Sequence, residues 1–374
     1  MLQKSKIDEL TDCIKFKVDN NQLDEEVEKY TQELANMISA DPRLGDLLQH
    51  HLLEILVTLL KHKQYPKLQS HAAIILQYVV ACSGNKEFVM KFITPSIIVN
   101  LMHSAVCEVQ KQALLLLRYI AFGIPNCSKS KFVLEEVLES LTSLIDSFND
   151  STGSDLLYNG TKTLALACQV YLDFSPDELE LILRALMKLL KYENSHVLAY
   201  ACSGISYLCD GKQKMVVEEQ QLGTLIDRLI ELIDSESRVK TIAGLRALGC
   251  IVRWGSDSNI ELIIERDILL SLECLLGEDD KYYVKNACWI ISNITARNEN
   301  HIKAVIDSGL IEPLVDVVEN YDLLDVKREA ARAISNAIYG LGLNQIRQLR
   351  NSRVKTFGDL LKVLCDDQQF VSVC

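Results

Sequence analysis

Few residues in this sequence have both the type and the spacing that chemistry requires, and the clearest pair is Trp289 with Asn293. Trp289 is one of only two tryptophans in 374 residues. Residues four apart share one face of a helix, so the indole and the amide would point in the same direction. Two interpretations stay open: the pair contacts a ligand in a groove, or Trp289 fills space between neighbouring helices.

No pattern in the sequence favours catalysis. It contains no Gly-rich phosphate loop, no G-x-S-x-G, no H-E-x-x-H and no carboxylate pair in an evident pocket setting. The twelve cysteines form no C-x-x-C, and the seven histidines have no metal-ligand spacing. We therefore expect a binding protein that is not an enzyme and needs no cofactor or metal. Its cysteines would be small core residues rather than disulfides or zinc ligands.

The excess of acidic over basic residues indicates which kinds of partner the chain can bind. The chain has 39 basic and 51 acidic residues, a formal net charge of −12. An acidic surface repels phosphate backbones and anionic lipid, so we expect neither nucleic acid nor membranes as partners. Basic peptides or proteins fit better. No targeting segment opens the sequence, and no apolar run approaches the length of a membrane span, which predicts a soluble intracellular chain.

Helical periodicity dominates the whole sequence. Apolar residues recur at intervals of three and four, for example over 52–60, 225–233 and 310–318, and no period-two alternation runs for more than a few residues. The breaks are of a helix-stopping type, such as Asp210-Gly211 and Gly255-Ser256-Asp257. The pattern predicts an all-α protein.

A longer period lies on top of the helical one. A helix rich in small residues recurs, as in HAAIILQYVVACSG, YACSGISYLCDG and NACWIISNITARN, each preceded by a more amphipathic helix. Aligned copies put one position at Ile74, Leu115, Ala165, Ser203, Arg246, Trp289 and Arg332, at intervals of 41, 50, 38, 43, 43 and 43 residues. This period predicts an armadillo-type right-handed α-solenoid of about eight to nine repeats. The 50-residue interval carries an insertion near 148–155, which we expect to be an exposed loop.

Several of these segments resemble the importin α family, the adaptors that bind nuclear localisation signals. The matching residues are Ala201-Cys202 with Ser206-Tyr207-Leu208, Ala287-Cys288-Trp289 with Ser292-Asn293-Ile294-Thr295, and Lys327-Arg328-Glu329-Ala330 with Ser335-Asn336. The resemblance is specific over about 200–340 and lies mainly in register before that. It implies protein import into the nucleus, with localisation in cytoplasm and nucleus.

The resemblance also implies where a ligand binds. In the family, a ladder of Asn amides holds the backbone of an extended peptide, and indoles flank the stems of its lysines while acidic residues meet the ammonium groups. Carried over to this sequence, the minor groove comprises Tyr207, Arg246, Trp289, Ser292, Asn293, Glu329 and Asn336. Its ligand would be a basic, extended segment of cargo.

The sequence differs from the family pattern at several of the positions that bind the ligand. Cys250, Asn286 and Arg332 stand where the family has Asn, Glu and Trp. The three N-terminal pairs, Ile74/Tyr78, Leu115/Tyr119 and Ala165/Gln169, have lost both Trp and Asn. We therefore expect no lysine-reading groove there. The alternative function is an armadillo scaffold that uses a tyrosine-lined second groove, with Tyr78, Tyr119 and Gln169, for a non-basic protein partner.

The domain boundaries follow from the repeats. The solenoid is expected over 1–367, with repeat one at about 5–45, a last partial repeat at about 341–367 and a short tail at 368–374. Residues 1–50 contain six basic and eleven acidic residues without a basic cluster. The family's basic segment that binds importin β has no counterpart there, so binding to importin β is doubtful.

Overall fold

The structure is a computed structural model that describes residues 2–82, 86–122, 128–170, 174–210 and 219–340. Every regular element in these ranges is helical, and none is a strand. The chain divides into unit 1, Met1–Lys191, and unit 2, Tyr192–Cys374. The predicted all-α fold is therefore confirmed over the described residues.

Unit 1 contains ten α-helices and one 3₁₀-helix within its described residues. They are α1 (Leu2–Asp19), α2 (Glu25–Ala40), the 3₁₀-helix Pro42–Leu47, α3 (His50–Leu59), α4 (Pro66–Cys82), α5 (Lys86–Phe92), α6 (Pro95–Met102), α7 (Cys107–Phe122), α8 (Ser128–Asp146), α9 (Ser154–Val170) and α10 (Pro176–Leu189).

Unit 2 contains nine α-helices within its described residues. They are α11 (Ser195–Asp210), α12 (Glu219–Ile233), α13 (Arg238–Trp254), α14 (Asp257–Ile264), α15 (Ile268–Leu276), α16 (Lys281–Thr295), α17 (Glu299–Asp307), α18 (Ile311–Asn320) and α19 (Leu324–Tyr339). The expected partial repeat at 341–367 and the tail at 368–374 lie outside the described residues.

The small-residue helices, which we call third helices, pack side by side in chain order within each unit. In unit 1 these are α2, α4, α7 and α9, and in unit 2 they are α11, α13, α16 and α19. In six of the seven aligned copies, an alanine two or three residues before the shared register position is buried: Ala72, Ala113, Ala201, Ala243, Ala287 and Ala330. Because alanine has no side chain beyond Cβ, it lets the helix backbones approach closely. Each unit is thus a stack of armadillo-type repeats.

Local sequence signals fix the ends of these helices. The Ser175 hydroxyl and the Glu178 carboxylate form a capping box at the start of α10, and the Asn298 side chain accepts from the His301 backbone N–H at the start of α17. Gly309 follows α17 with a φ of 80°, a left-handed conformation that favours glycine. These contacts satisfy backbone groups that helix ends leave unpaired.

The insertion departs in part from its prediction as an exposed loop. Residues 149–153 are largely exposed and α9 begins at Ser154, but Phe148 is only 4% exposed. Its ring lies against Gly160, where a Cβ would come within 2.9 Å of ring atoms Cε2 and Cζ. Phe148 therefore anchors the insertion to α9. Burying its phenyl ring is favourable by about 2 kcal/mol.

The eight cysteines whose side chains are described are all free thiols, and five of them are buried. Burial raises the pKa of the Cys202 thiol to about 12, and it raises the pKa values of Cys168, Cys209 and Cys288 still further. Over the described ranges, no set of three or more His, Cys, Asp or Glu side chains is placed to bind a metal ion. None of the helices described there combines the length and hydropathy of a bilayer-crossing segment.

Candidate peptide-binding face

The third helices of unit 2 present one partly exposed face. The position that the aligned repeats share is occupied in unit 2 by Ser203, Arg246, Trp289 and Arg332. Ser203 and Trp289 are half-buried, and the two arginines are exposed. Four residues later on the same helices come Tyr207, Cys250, Asn293 and Asn336. We call these eight residues and their surroundings the third-helix face of unit 2. The structure brings all the predicted minor-groove residues to four neighbouring helices.

The indole of Trp289 bridges two of these helices. It leaves α16 and lies against Gly249 of α13, so closely that a Cβ at Gly249 would be 2.2 Å from ring atom Cζ3. Only glycine permits this approach. Trp289 is half-buried rather than fully buried, so part of its ring remains open to solvent. The contact with Gly249 supports the space-filling interpretation, and contact with a ligand stays a prediction.

Three predicted residues form hydrogen bonds around Trp289 and the next repeat. Asn293 Nδ2 donates to the Trp289 carbonyl at 2.8 Å, within its own helix. Asn336 Nδ2 donates at 2.9 Å to the Ser292 carbonyl, which joins α19 to α16. Ser292 Oγ donates to the Trp289 carbonyl at 2.9 Å. Both amide nitrogens thus donate hydrogen bonds, whereas neither amide oxygen accepts one from a described residue.

Glu329 is the only carboxylate among the predicted site residues, and it is already paired. Nη1 of Arg332, three residues later on α19, lies 3.2 Å from Oε1 and 3.1 Å from Oε2 of Glu329. Ser292 Oγ is 3.5 Å from the same Oε2. The Glu329 side chain is 17% exposed and that of Arg332 is 48% exposed. Sequence reasoning missed this pair, although its i,i+3 spacing is a signal for it.

Arg246 lies at the edge of a pocket of about 210 Å³ between α11 and α13. The lining is mostly apolar, with Cys202, Val239 and Ile242 among its residues, and Arg238 also lines it from the start of α13. Arg238 is ion-paired with Asp280. Arg246 has no ion pair or hydrogen bond with any residue that the structure describes. The face therefore carries one free guanidinium next to an apolar recess.

Cys250 and Asn286, which replace the family's Asn and Glu, take other roles here. Cys250 is 8% exposed, and burial raises the pKa of its thiol, with the nearby Asp210 carboxylate acting in the same direction. Asn286 Nδ2 donates to the Tyr282 carbonyl at 2.6 Å. Neither side chain presents a charge to a ligand.

The second groove proposed for unit 1 is only partly assembled. Tyr78 and Tyr119 are half-buried on α4 and α7, and Gln169 is exposed on α9. Ala165, which the alignment placed in the same row as Ile74 and Leu115, is 1% exposed and does not face the surface. The exposed side of α9 runs instead through Tyr158, Lys162, Leu166 and Val170. The exposed row on α9 therefore passes through Leu166, one residue after the position that the alignment gave.

The second tryptophan, Trp254, also lies on a third helix of unit 2. It is the last residue of α13 and is 49% exposed. Its indole Nε1 donates to Asp210 Oδ1 at 2.6 Å, and the Arg253 guanidinium lies 4.7 Å from its ring centroid. Trp254 therefore also joins two third helices, α13 and α11.

Comparison with known proteins places these features in context. The armadillo/beta-catenin-like repeat family matches residues 298–338. Importin subunit alpha-1a of Oryza sativa subsp. japonica is 33% identical over 300 residues, which cover 80% of this chain and 56% of that protein. Importin subunit alpha-4 of Arabidopsis thaliana is 34% identical over 339 residues, which cover 90% of this chain and 62% of that protein. The chain thus spans less than two thirds of the length of these relatives.

Solved structures show the same fold. An engineered protein matches with a TM-score of 0.70 and 24% identity, over 97% of this chain and 90% of its own. A designed armadillo repeat protein in complex with the peptide (KR)4 matches with a TM-score of 0.54 and 21% identity, over 65% of this chain and 98% of its own. At these identities the likeness establishes the fold alone.

The fold and the repeating third-helix face together define an armadillo-repeat protein. The identities to rice and Arabidopsis importin subunits extend over four fifths or more of the chain. The chain belongs to the importin α family.

Proposed function

We propose that this chain is an adaptor of the importin α type, which binds an extended segment of a cargo protein for import into the nucleus and works in both cytoplasm and nucleus. The observation that carries the proposal is the arrangement of Trp289, Asn293 and Asn336 on adjacent third helices of unit 2. The names of the relatives, importin subunits alpha-1a and alpha-4, support the role in import.

The chemistry of the face suits an extended backbone. An extended chain offers an N–H or C=O group at every residue, and these need partners when a ligand covers them. The amide oxygens of Asn293 and Asn336 are available acceptors, since their Nδ2 atoms bond to helix carbonyls. The exposed part of the Trp289 indole offers an apolar surface for one ligand side chain.

The resemblance to the family favours a basic ligand, as in nuclear localisation signals. Such a ligand would place a lysine stem on Trp289 and its ammonium at a carboxylate. Glu329 is the carboxylate that this version of the proposal uses, with Tyr207, Arg246 and Ser292 beside the peptide. A lysine would have to compete with Arg332 for Glu329.

A second candidate function rests on unit 1. Tyr78 and Tyr119 lie at one register position on adjacent helices, with the half-buried Ile74 and Leu115 one turn before them. This apolar, tyrosine-lined surface would suit a non-basic protein partner, as in the scaffold alternative. Gln169 stands on the next third helix but beside Val170 rather than in the tyrosine row.

Fluorescence anisotropy tests the adaptor proposal. Three labelled extended peptides of equal length, identical except that their charged positions are all Lys, all Glu or all Gln, are titrated with the chain and with the double variant Trp289→Ala/Asn293→Ala. Binding of at least one peptide that the double variant loses supports the proposal. Trp254→Ala is the matched control and should retain binding. If no peptide binds in a manner that depends on Trp289, the proposed adaptor face is wrong.

A further inference from the structure

The apolar recess between α11 and α13 lies on the third-helix face of unit 2 and has a volume of about 210 Å³. Ser203 and Arg246, which occupy the position that the aligned repeats share, both line it. The rest of its wall consists mainly of aliphatic side chains and a thiol, from Ala199, Cys202, Val239, Ile242 and Ala243. The recess is therefore part of the face that the proposed function assigns to the ligand.

The next pair of third helices shows what fills the equivalent space. Gly249 of α13 and Trp289 of α16 correspond to Ser206 and Arg246 at the 43-residue interval of the repeats. Between α13 and α16, the indole of Trp289 lies against Gly249. Between α11 and α13, Arg246 is exposed and the recess beside Ser206 stays open. The same position of the repeat thus holds an apolar ring in one pair of helices and is open in the other.

Two hydroxyls and one guanidinium of the lining already have partners. Ser203 Oγ donates at 2.8 Å to the Ala199 carbonyl. Ser206 Oγ donates at 3.0 Å to the Cys202 carbonyl. Arg238 is ion-paired with a carboxylate of the loop before α16. A polar side chain that entered the recess would lose water without gaining these partners, whereas an apolar side chain is favoured by leaving water.

The volume of the recess suits one large apolar side chain. An apolar cavity of about 150 Å³ is enough to bind benzene, and the recess is larger. Val239 is exposed and Ile242 is half-buried, so both offer apolar surface that such a side chain would cover. Arg246 is exposed at the edge, where its guanidinium stays in water while its methylene stem can contact the incoming side chain.

We propose that the recess between α11 and α13 binds one large apolar side chain of the cargo segment. This inference rests on the proposed function and adds a subsite that determines specificity on that same face. Neighbouring helices pack ~8–10 Å apart, which sets the distance from the recess to the equivalent space that Trp289 fills. An extended chain covers ~3.3–3.6 Å per residue, so the apolar residue should lie about three residues from the ligand residue that contacts Trp289.

Fluorescence anisotropy with two labelled extended peptides tests the subsite. Each peptide has a central lysine, and the positions about three residues before and after it are both leucine in one peptide and both glutamine in the other. Placing the test residue on both sides covers either chain direction of the ligand. The leucine peptide should bind the full chain about tenfold tighter than the glutamine peptide, because the recess removes a leucine side chain from water.

Three variants locate the site of this preference. Ala199→Leu fills the recess from α11 and should abolish the preference, while the glutamine peptide keeps its affinity. Val239→Ser makes the exposed wall polar without adding bulk and should reduce the preference by about threefold. Ala304→Leu, which adds the same side chain at a half-buried alanine of α17, is the matched control and should leave the preference unchanged.

The outcomes separate the two proposals. Equal affinities for the two peptides, both lost in Trp289→Ala/Asn293→Ala, would overturn the subsite and leave the adaptor face standing. A leucine preference that persists in Ala199→Leu and Val239→Ser would also overturn it, because the leucine would then bind elsewhere. If neither peptide binds in a manner that depends on Trp289, the adaptor face and the subsite both fail.

Discussion

The indole of Trp289 lies against the backbone of Gly249 on the neighbouring third helix, with ring atoms 2.2 and 2.7 Å from where a Cβ would be. A residue of the proposed ligand-binding face therefore also sets how closely α13 and α16 approach. This contact covers part of the indole of Trp289, which is half-buried. Packing orders the indole before any ligand arrives, which lowers the entropy cost of binding.

Gly249→Ala should destabilise unit 2 by about 1–3 kcal/mol, because the new methyl group overlaps the indole and forces it to move. The measurement is urea unfolding, together with Trp289 fluorescence in a Trp254→Phe background, where Trp289 is the only tryptophan. In a Trp289→Ala background the clash is absent. There the same substitution should instead stabilise the chain by about 1 kcal/mol through helix propensity. A destabilising effect of equal size in both backgrounds would contradict the contact.

Asn336→Ala should reduce the free energy of unfolding by about 0.5–1.5 kcal/mol, because it removes the hydrogen bond that joins α19 to the Ser292 carbonyl of α16. Asn293→Ala is the matched control, since its amide bonds only within its own helix. Both changes share the same gain in helix propensity, so their difference in urea midpoint isolates the bond between repeats. Equal midpoints would show that the bond contributes nothing.

The sequence was sufficient for the fold because two periodicities were visible in it. The helical period and the recurrence of about 42 residues both reflect burial, which follows directly from residue type. The buried alanines from Ala72 to Ala330 agree with that recurrence. Importin α membership followed from the segments around Tyr207, Trp289 and Asn336, and the relatives confirm it.

What the sequence did not predict depends on side-chain geometry and on register. The pairing of Arg332 with Glu329 depends on rotamers, and spacing alone does not distinguish it from two solvated charges. Alignment by residue type placed Ala165 in the exposed row, and its burial is visible only from the packing of α9. The burial of Phe148 was not predicted because its polar neighbours in the sequence indicate a loop.

Phe148→Ala should destabilise unit 1 by about 3–5 kcal/mol, the cost of deleting a buried aromatic ring. The ring packs on Gly160, so its loss leaves a cavity between the insertion and α9. Urea unfolding followed by far-ultraviolet circular dichroism gives the change. Asp150→Ala, an exposed residue of the same loop, should stay within about 0.5 kcal/mol of the parent chain. Equal effects of the two variants would show that Phe148 is not an anchor.

The buried thiols predict how stability depends on alkaline pH. Burial raises the pKa of Cys202 from 9.0 to about 12, so the unfolded chain loses this proton at lower pH than the folded chain does. The contribution to stability is therefore complete below about pH 9 and is lost as pH rises from there towards 12. Urea midpoints across this window should fall less steeply in Cys202→Ala, which lacks the thiol. Parallel pH profiles for the two chains would contradict the role assigned to Cys202.

Arg332→Trp should raise affinity for the lysine peptide by about 5- to 30-fold, because two effects of the substitution favour a lysine. It removes the guanidinium from Glu329, which frees a carboxylate for the ligand's ammonium, and it adds an indole beside it, worth about 1–2 kcal/mol against a cation. Arg332→Ala is the matched control: it frees Glu329 without adding the indole, so its gain should be smaller. Anisotropy titrations at low and high salt check both effects, since a gain that depends on Glu329 should shrink as salt rises. If neither variant gains affinity for lysine, the Arg332–Glu329 pair does not govern what this face binds.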